Sequence, residues 1–520
     1  FTGQFSGNAF ADFLLGYPTT AAAGIGRGDE NARTNWVHLF AQDDWRLRPN
    51  LTVNLGLRYE YNQHMRADDN RLSSVDYQTP GGRFVIASDE RGSLDPSAAD
   101  QLSLIPVPYV TSEEAGWDRG LLSPSRVRLA PRTGFALALD DHRTVVRGGY
   151  GIFLNQWAYS VQTALARNLP FFITKQVDVP ATQRIPTSST ADILARDPTG
   201  VVAPTIMDHD YRVEYTQTWS GGLQHELMPS TMVEAEYMGS WTLGADNATV
   251  HNVPEPGPGA IQERRPISRL GPIRSIRFDG RSIYHAVTVR AERRLSRNYS
   301  YRINYTLSRS LDDASSPGPT EAEANVPQNV RNVFDAAGEW APSSFDHRHI
   351  FVASGTYELP LFSSAAGLAG ALLRGWQLSA MFLAQSGAPF TVNLGVDRAN
   401  VGAGPAQRPD QLRDPNLAAG ARTPARWFDT DAFGLPAPFS FGSAPRNNVI
   451  GPGYMSLDLA MAKTWTVAGA RQVVVRWEVF NALNEANFDL PNRIFGTPNF
   501  GRIFSAKNAR EMQLAVRVTF

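Results

Sequence analysis

The sequence predicts an all-β protein, an antiparallel transmembrane β-barrel of the outer-membrane type, on three observations. Segments of about ten residues alternate apolar and polar with a period of two, the length of a tilted strand that crosses a bilayer. The connections between them alternate short and long. No stretch approaches the roughly 18 to 20 apolar residues of a membrane helix. The longest candidate, Ala365 to Leu373, is about half that.

Thirteen strands are expected, near 35–47, 51–62, 131–140, 143–153, 212–227, 230–242, 283–295, 298–309, 348–359, 375–387, 455–466, 471–481 and 511–520. In the second, Leu51, Val53, Leu55, Leu57, Tyr59 and Tyr61 share one face, and Thr52, Asn54, Gly56, Arg58 and Glu60 the other. In the fifth, Arg212, Glu214, Thr216, Thr218, Ser220, Gln224 and Glu226 oppose Val213, Tyr215, Trp219 and Leu223. Val233, Ala235, Tyr237 and Trp241 then oppose Glu234 and Glu236, and Tyr301, Ile303, Tyr305 and Leu307 oppose Arg302, Asn304 and Thr306. Near the end, Val473, Val475, Trp477 and Val479 oppose Arg476 and Glu478. The last segment sets Met512, Leu514, Val516, Val518 and Phe520 against Glu511, Gln513, Ala515, Arg517 and Thr519.

Tight turns are expected at Arg48–Asn50, Asp140–Arg143, Met228–Ser230, Ser296–Asn298 and Ala468–Ala470. Between these hairpins lie tens of residues rich in Pro, Gly, Ser, Asp and Asn. Short periplasmic turns and long extracellular loops are the rhythm of an outer-membrane barrel. Aromatics support it: Trp45, Tyr299, Trp465 and Phe520 lie by the short turns, and Tyr61, Tyr237, Trp241 and Tyr284 toward the long loops, as in two interfacial girdles.

Composition excludes several classes. The 520 residues are 42% hydrophobic and 19% charged with a formal charge of -1, so the chain is neither disordered by composition nor built to bind nucleic acid. Cysteine is absent, which removes disulfides, thiolate metal sites, iron–sulfur clusters and cysteine nucleophiles together. The start lacks the basic and apolar regions of a signal peptide, and there is no initiator Met, so the chain is expected to begin mid-protein.

The segments "FADFLLGYP", "LFAQDDWRLRPNLTVNLGLRYE", "APRTGFAL", "RTVVRGGYGIF", "FDHRHIFVASGTYELP", "GWQLSAMFLAQSGAPFT", "RWEVFNALNEANF" and the terminal Phe resemble, in order, the barrel half of Oar-like TonB-dependent receptors. The resemblance runs nearly the whole chain; the intervening loops diverge. It implies a 22-stranded barrel plugged by an N-terminal domain, with a regulatory-like β-domain in front and contact to the TonB complex. It also implies that the terminal strand, Met512, Leu514, Val516, Val518 and Phe520, is read by the barrel-assembly machinery. An odd number of strands ending inside must start outside, so residues 1–34 are expected to be an outer-loop segment and 35–520 the C-terminal portion of the barrel, about nine strands short of the whole.

Candidate chemistry is sparse. Asp346, His347 and His349 are metal-ligating types within four residues, but a structural hydrogen-bonding role where a strand opens is preferred. Asp312, Asp313, Ser315 and Ser316 with His347 lack the elbow or fixed base that a nucleophile needs, so no enzyme is expected. Gly257 to Pro266 lacks the strand-to-helix context and Lys-Ser/Thr of a phosphate loop, and no cofactor is expected. The charges Arg58, Glu60, Glu234, Glu236, Arg290, Arg476 and Glu478 should face a hydrated lumen and form cross-strand ion pairs or plug contacts.

The leading function is a receptor that binds an unidentified extracellular solute through its loops and admits it with a plug and TonB, embedded in outer-membrane lipid. The alternatives are a non-transporting barrel for adhesion or surface sorting of secreted proteins, and a soluble all-β binding domain whose sheets pack on each other.

Overall fold

The computed structural model describes residues 1, 3–18, 20–26, 31–123, 128–139, 143–155, 162–178, 185–186, 189, 201–313, 315, 332–360, 367–402, 407–468 and 471–520. Thirteen strands form one antiparallel sheet: β1 Trp36–Arg48, β2 Leu51–Asn62, β3 Arg128–Leu139, β4 Thr144–Leu154, β5 Tyr215–Met228, β6 Thr231–His251, β7 Ile273–Ser296, β8 Tyr299–Asp312, β9 His349–Glu358, β10 Trp376–Gln385, β11 Tyr454–Ala468, β12 Arg471–Phe480 and β13 Glu511–Thr519. Each pairs with the next in the chain, so the sheet is a single up-and-down meander. Every segment that alternates in the sequence is a strand of this sheet. The packed sandwich is thereby overturned, because among the described residues no second large sheet faces this one. β1 and β13 form its two edges, and no described strand pairs beyond either.

Two strands far exceed their expected length. β6 has 21 residues and β7 has 24, about 70–80 Å of extended chain, whereas about ten residues suffice to span the bilayer. The pair therefore projects well beyond the membrane. Gly244, Asp246, Asn247, Asp279 and Gly280 interrupt the alternation and end the pattern early in the sequence. The structure absorbs them as irregularities, with register shifts between Leu243 and Ala245 and between Ala245 and Asn247. Gly244 has φ +79°, and a Cβ on Gly280 would lie 2.8 Å from the Ala245 carbonyl oxygen, so both positions need glycine. The fifth strand is shorter than expected, starting at Tyr215 instead of Arg212.

The turn from β7 to β8 passes through Arg297 (φ 54°) and Asn298 (φ 70°), left-handed at both central positions, which matches the twist of a tight hairpin. Parts of two other expected turns, 140–142 and 469–470, lie outside the described residues. The β9–β10 connection is longer and carries a short helix, Gly367–Leu373. Trp376 and Trp465 donate their indole N–H groups to the Leu372 and Ala371 carbonyls at 2.9 and 2.8 Å, satisfying acceptors that a helix end leaves open.

The apolar core lies outside the membrane. Buried clusters form around Met65, Leu72, Leu121, Leu165 and Phe278, around Phe84, Leu169, Ile206 and Leu270, and around Phe390, Val392, Phe428 and Phe433. All three gather residues of the long connections, and the first two also take in the outer reach of β7. A barrel strand has lipid on one side and a lumen on the other, so it buries little against protein. The loops, by contrast, pack on one another as a soluble domain would. Residues 1–34 join them: Thr20–Gly26 pairs with Phe172–Asp178, and Ala32–Arg33 with Arg66–Ala67.

Candidate functional site: the lumen face and the outer loops

Directly opposed residues of an antiparallel sheet share a face, so the register assigns every side chain to lipid or lumen. Glu234 lies opposite Arg290, and Arg290 opposite Asn304; Glu236 lies opposite Thr288. Arg476 faces Ala515, and Glu478 faces Gln513. Followed from strand to strand, Arg58, Glu60, Glu234, Glu236, Arg290, Arg476 and Glu478 occupy one face. Met512, Leu514, Val516 and Val518 occupy the other, opposite Val479, Trp477, Val475 and Val473. Of the expected girdle, Trp45, Trp465, Tyr299 and Trp241 are on the apolar face, but Tyr284 is not. It lies between Ser240 and Ser310 on the polar face, because its parity in the strand, not its nearness to a loop, decides which way it faces.

Most of the charges on the polar face pair. Glu234 meets Arg290 across β6 and β7, and Arg302 meets Glu292 at 3.0 Å across β7 and β8. Arg58 meets Glu60, and Arg476 meets Glu478 at 2.7 Å, each two residues along one strand. His38 adds contacts to Arg58 at 2.9 Å and to Asn62 at 2.6 Å. The Arg302–Glu292 pair is exposed to solvent, so screening leaves it little stabilising effect. Glu60 and Glu234 are buried beneath their arginines and neighbours, where losing the partner would strand a charge.

The histidine cluster is dispersed. Asp346 accepts the Ser310 N–H at 2.8 Å; His347 Nδ1 contacts the Ser386 carbonyl oxygen at 2.7 Å; His349 Nδ1 contacts the Tyr305 hydroxyl at 2.8 Å. Each joins neighbouring segments where β9 opens. Among the described residues no group of three or more His, Asp or Glu side chains is arranged to hold a metal ion. Ser315 donates to both Asp312 oxygens at 2.8 and 2.9 Å and accepts from Arg446 at 3.0 Å. Its neighbours thus lock a loop; Ser316 lies outside the described residues.

That lock belongs to a buried polar network with no signature in the sequence. Arg446 contacts the Asp312 carboxylate and donates to the Glu339 carbonyl at 2.9 Å, while the Glu339 carboxylate meets Arg408, which is wholly buried. Asp312 at the end of β8, Glu339 from the β8–β9 connection and Arg408 and Arg446 from the β10–β11 connection come together, and their separation along the chain hides the relation. A second cluster lies beneath the loop nearest β6. Tyr77 stacks on His251 at 4.0 Å. Burial, with Arg277 adding, pushes the His251 imidazole down to about 4. Burial likewise raises the Asp208 carboxyl against the pull of Arg277.

A family profile described as an outer membrane beta barrel domain matches residues 1–513. No curated protein matches the chain. Solved structures similar to it include the outer membrane transporter YddB from Escherichia coli, at 10% identity over 93% of this chain and 54% of that one, with a TM-score of 0.46. The siderophore receptor PiuA from Acinetobacter baumannii is 8% identical over 93% and 43%, TM-score 0.41. The ferric-catecholate import receptor Fiu from Escherichia coli K12 is 10% identical over 93% and 44%, TM-score 0.41. The chain spans about half the length of these structures.

Proposed function

The chain belongs to the outer-membrane β-barrel domain family and resides in the bacterial outer membrane, and from this we propose that it is the barrel of a TonB-dependent receptor of the Oar-like kind. Its outer loops capture a solute, and the lumen admits it to the periplasm once a plug moves under force transmitted by TonB. The observation that carries this reading is the polar, ion-paired face running across thirteen strands. A barrel of eight strands fills its interior with side chains, whereas wider ones enclose a channel or a plugged lumen. Interleaved arginines and glutamates suit a surface that must hold a removable protein plug by many weak contacts.

In this reading the plug and the TonB contact act from outside residues 1–520. Residues 1–34 are an outer-loop segment, residues 35–520 are the C-terminal portion of the barrel, and the edges of β1 and β13 join further strands. The apolar face of β13 with Phe520 is the segment read by the barrel-assembly machinery. Asp346, His347 and His349 are structural. The reaction is transport, without catalysis or a cofactor.

One observation favours the alternative of a surface anchor for adhesion or sorting: the loops have cores of their own and so form a platform that needs no lumen. Depletion of medium components, followed by mass spectrometry, should separate the two. A receptor removes at least one solute from the medium only when TonB is functional. Loss of surface binding without any TonB-dependent depletion would establish the anchor instead.

A further inference from the structure

β4 and β5 carry the glycine pairs Gly148–Gly149 and Gly221–Gly222, and the register sets Gly148 directly opposite Gly221. Glycine inside a strand forfeits packing and costs backbone entropy, so facing glycines mark a place where something approaches closely. Gly149 and Gly222 are on the lumen face; Gly148 and Gly221 are on the lipid face, with Leu223 and Tyr237. At Gly148 the neighbour is already present, since a Cβ would meet the Phe135 ring at 2.8 Å. At Gly221 a Cβ would meet nothing within 4 Å. It would point into a groove of about 740 Å³ walled by Phe135, Tyr150, Leu223, Ala235, Tyr237 and Val287.

We propose that this groove binds one acyl chain of an inner-leaflet phospholipid. All six walls are on the face that meets lipid. The tyrosine hydroxyls are turned away to partners of their own, Tyr150 to Gln217 at 2.7 Å and Tyr237 to His285 at 2.8 Å, so the rings present apolar surface. Arg147 and Glu236 border the groove through their backbone while their side chains project into the lumen. Thr133 adds one hydroxyl to this face of the groove but no side chain there carries a charge, so a charged head finds no counter-ion here, whereas a hydrocarbon chain finds apolar walls. Depth selects the leaflet. Gly148 is four residues above Thr144, and Gly221 is seven above Met228. With tilted strands this is about 10–18 Å above the short turns, in the periplasmic half of the apolar band.

The test uses the protein extracted from outer membranes and reconstituted with a phospholipid carrying a photoreactive acyl chain. Cross-links should concentrate on Leu223, Ala235 and Tyr237; even labelling over the whole lipid face would overturn the proposal. Gly221→Leu fills the groove from its floor and should lower retention of phospholipid through detergent exchange, read by native mass spectrometry, by about tenfold. Ala380→Leu, on the lipid face of β10, should leave retention unchanged. Equal retention by Gly221→Leu would refute the site. A lipid-free dimer that Gly221→Leu dissociates would assign the groove to a second copy and also refute it. The photolabelling arm needs no variant, so a folding defect in Gly221→Leu leaves the proposal exposed to disproof. Neither arm depends on transport.

Discussion

His251 shows how a single buried side chain ties the outer region to pH. Its imidazole is stacked on Tyr77, and burial holds its pKa at about 4, below the ordinary 6.5. In the unfolded chain the ring takes up a proton near pH 6.5, while in the fold it stays neutral to about 4. Stability from this site is therefore fully present above pH 6.5 and lost as pH falls toward 4, by up to ~3 kcal/mol. Protection factors of amides in the 73–86 and 273–278 segments, taken relative to the intrinsic exchange rate at each pH, should fall between pH 6.5 and 4 in the wild type and stay level in His251→Phe. A pH-independent protection factor in the wild type would show that the ring is not held neutral by burial. At the same scale, Leu55 is on the lipid face and Asn54 on the lumen face. Leu55→Arg should cost roughly 2–4 kcal/mol in urea unfolding from vesicles, and Asn54→Ser very little. Equal cost on both faces would contradict the assigned parity.

At the scale of elements, strands were legible because each obeys one rule throughout: lipid demands apolar side chains at every second position, and the lumen permits polar ones between. Val473 to Val479 and Met512 to Val518 display that rule without interruption, and the pairing of β12 with β13 follows it rung by rung. The rule lapses where lipid ends. Beyond Leu243 no face must be apolar, so the outer part of the β6–β7 hairpin carries Asp246, Asn247 and Asp279 and escapes a period-two reading. The helix Gly367–Leu373 escaped for another reason: seven residues cannot declare a 3.6-residue period, and its end is held by the indole of Trp376 just after it and by that of Trp465, which is distant in sequence. Trp465→Phe keeps the ring but removes one N–H. It should raise exchange of the amides in this helix several-fold, about 1 kcal/mol for the lost hydrogen bond, without changing the urea midpoint of the barrel. An unchanged exchange rate would mean that the indole contributes packing alone.

Across the whole molecule, the membrane divides the chain into a sheet held by backbone hydrogen bonds and an outer region held by side-chain packing. The polar lumen face could be read in advance from alternation, but the loop cores and the Arg446 network could not. Phe390, Phe428 and Phe433 recur without period, and Asp312 gives no sign that it meets Arg446. This division makes the two regions separable. Removing Arg446 leaves the Asp312 carboxylate buried without its cation, a loss on the order of 3–5 kcal/mol. The loss falls on 332–348 and 386–453, not on strand pairing, so Arg446→Ala should reach the outer membrane with normal heat-modifiable folding. On intact cells, wild-type protein should be cut by trypsin at exposed loop arginines such as Arg413 and Arg426, and an epitope inserted at Gly420 should be seen by antibody. An epitope at Arg297 in the β7–β8 turn should not, since the proposed orientation puts that turn in the periplasm. In Arg446→Ala the same protease should open further sites within 332–348 while the strands stay protected. Surface labelling at Arg297 would invert the orientation. Loss of the whole barrel in Arg446→Ala, with no folded intermediate in which only the loops are cut, would show that sheet and loops fold as one.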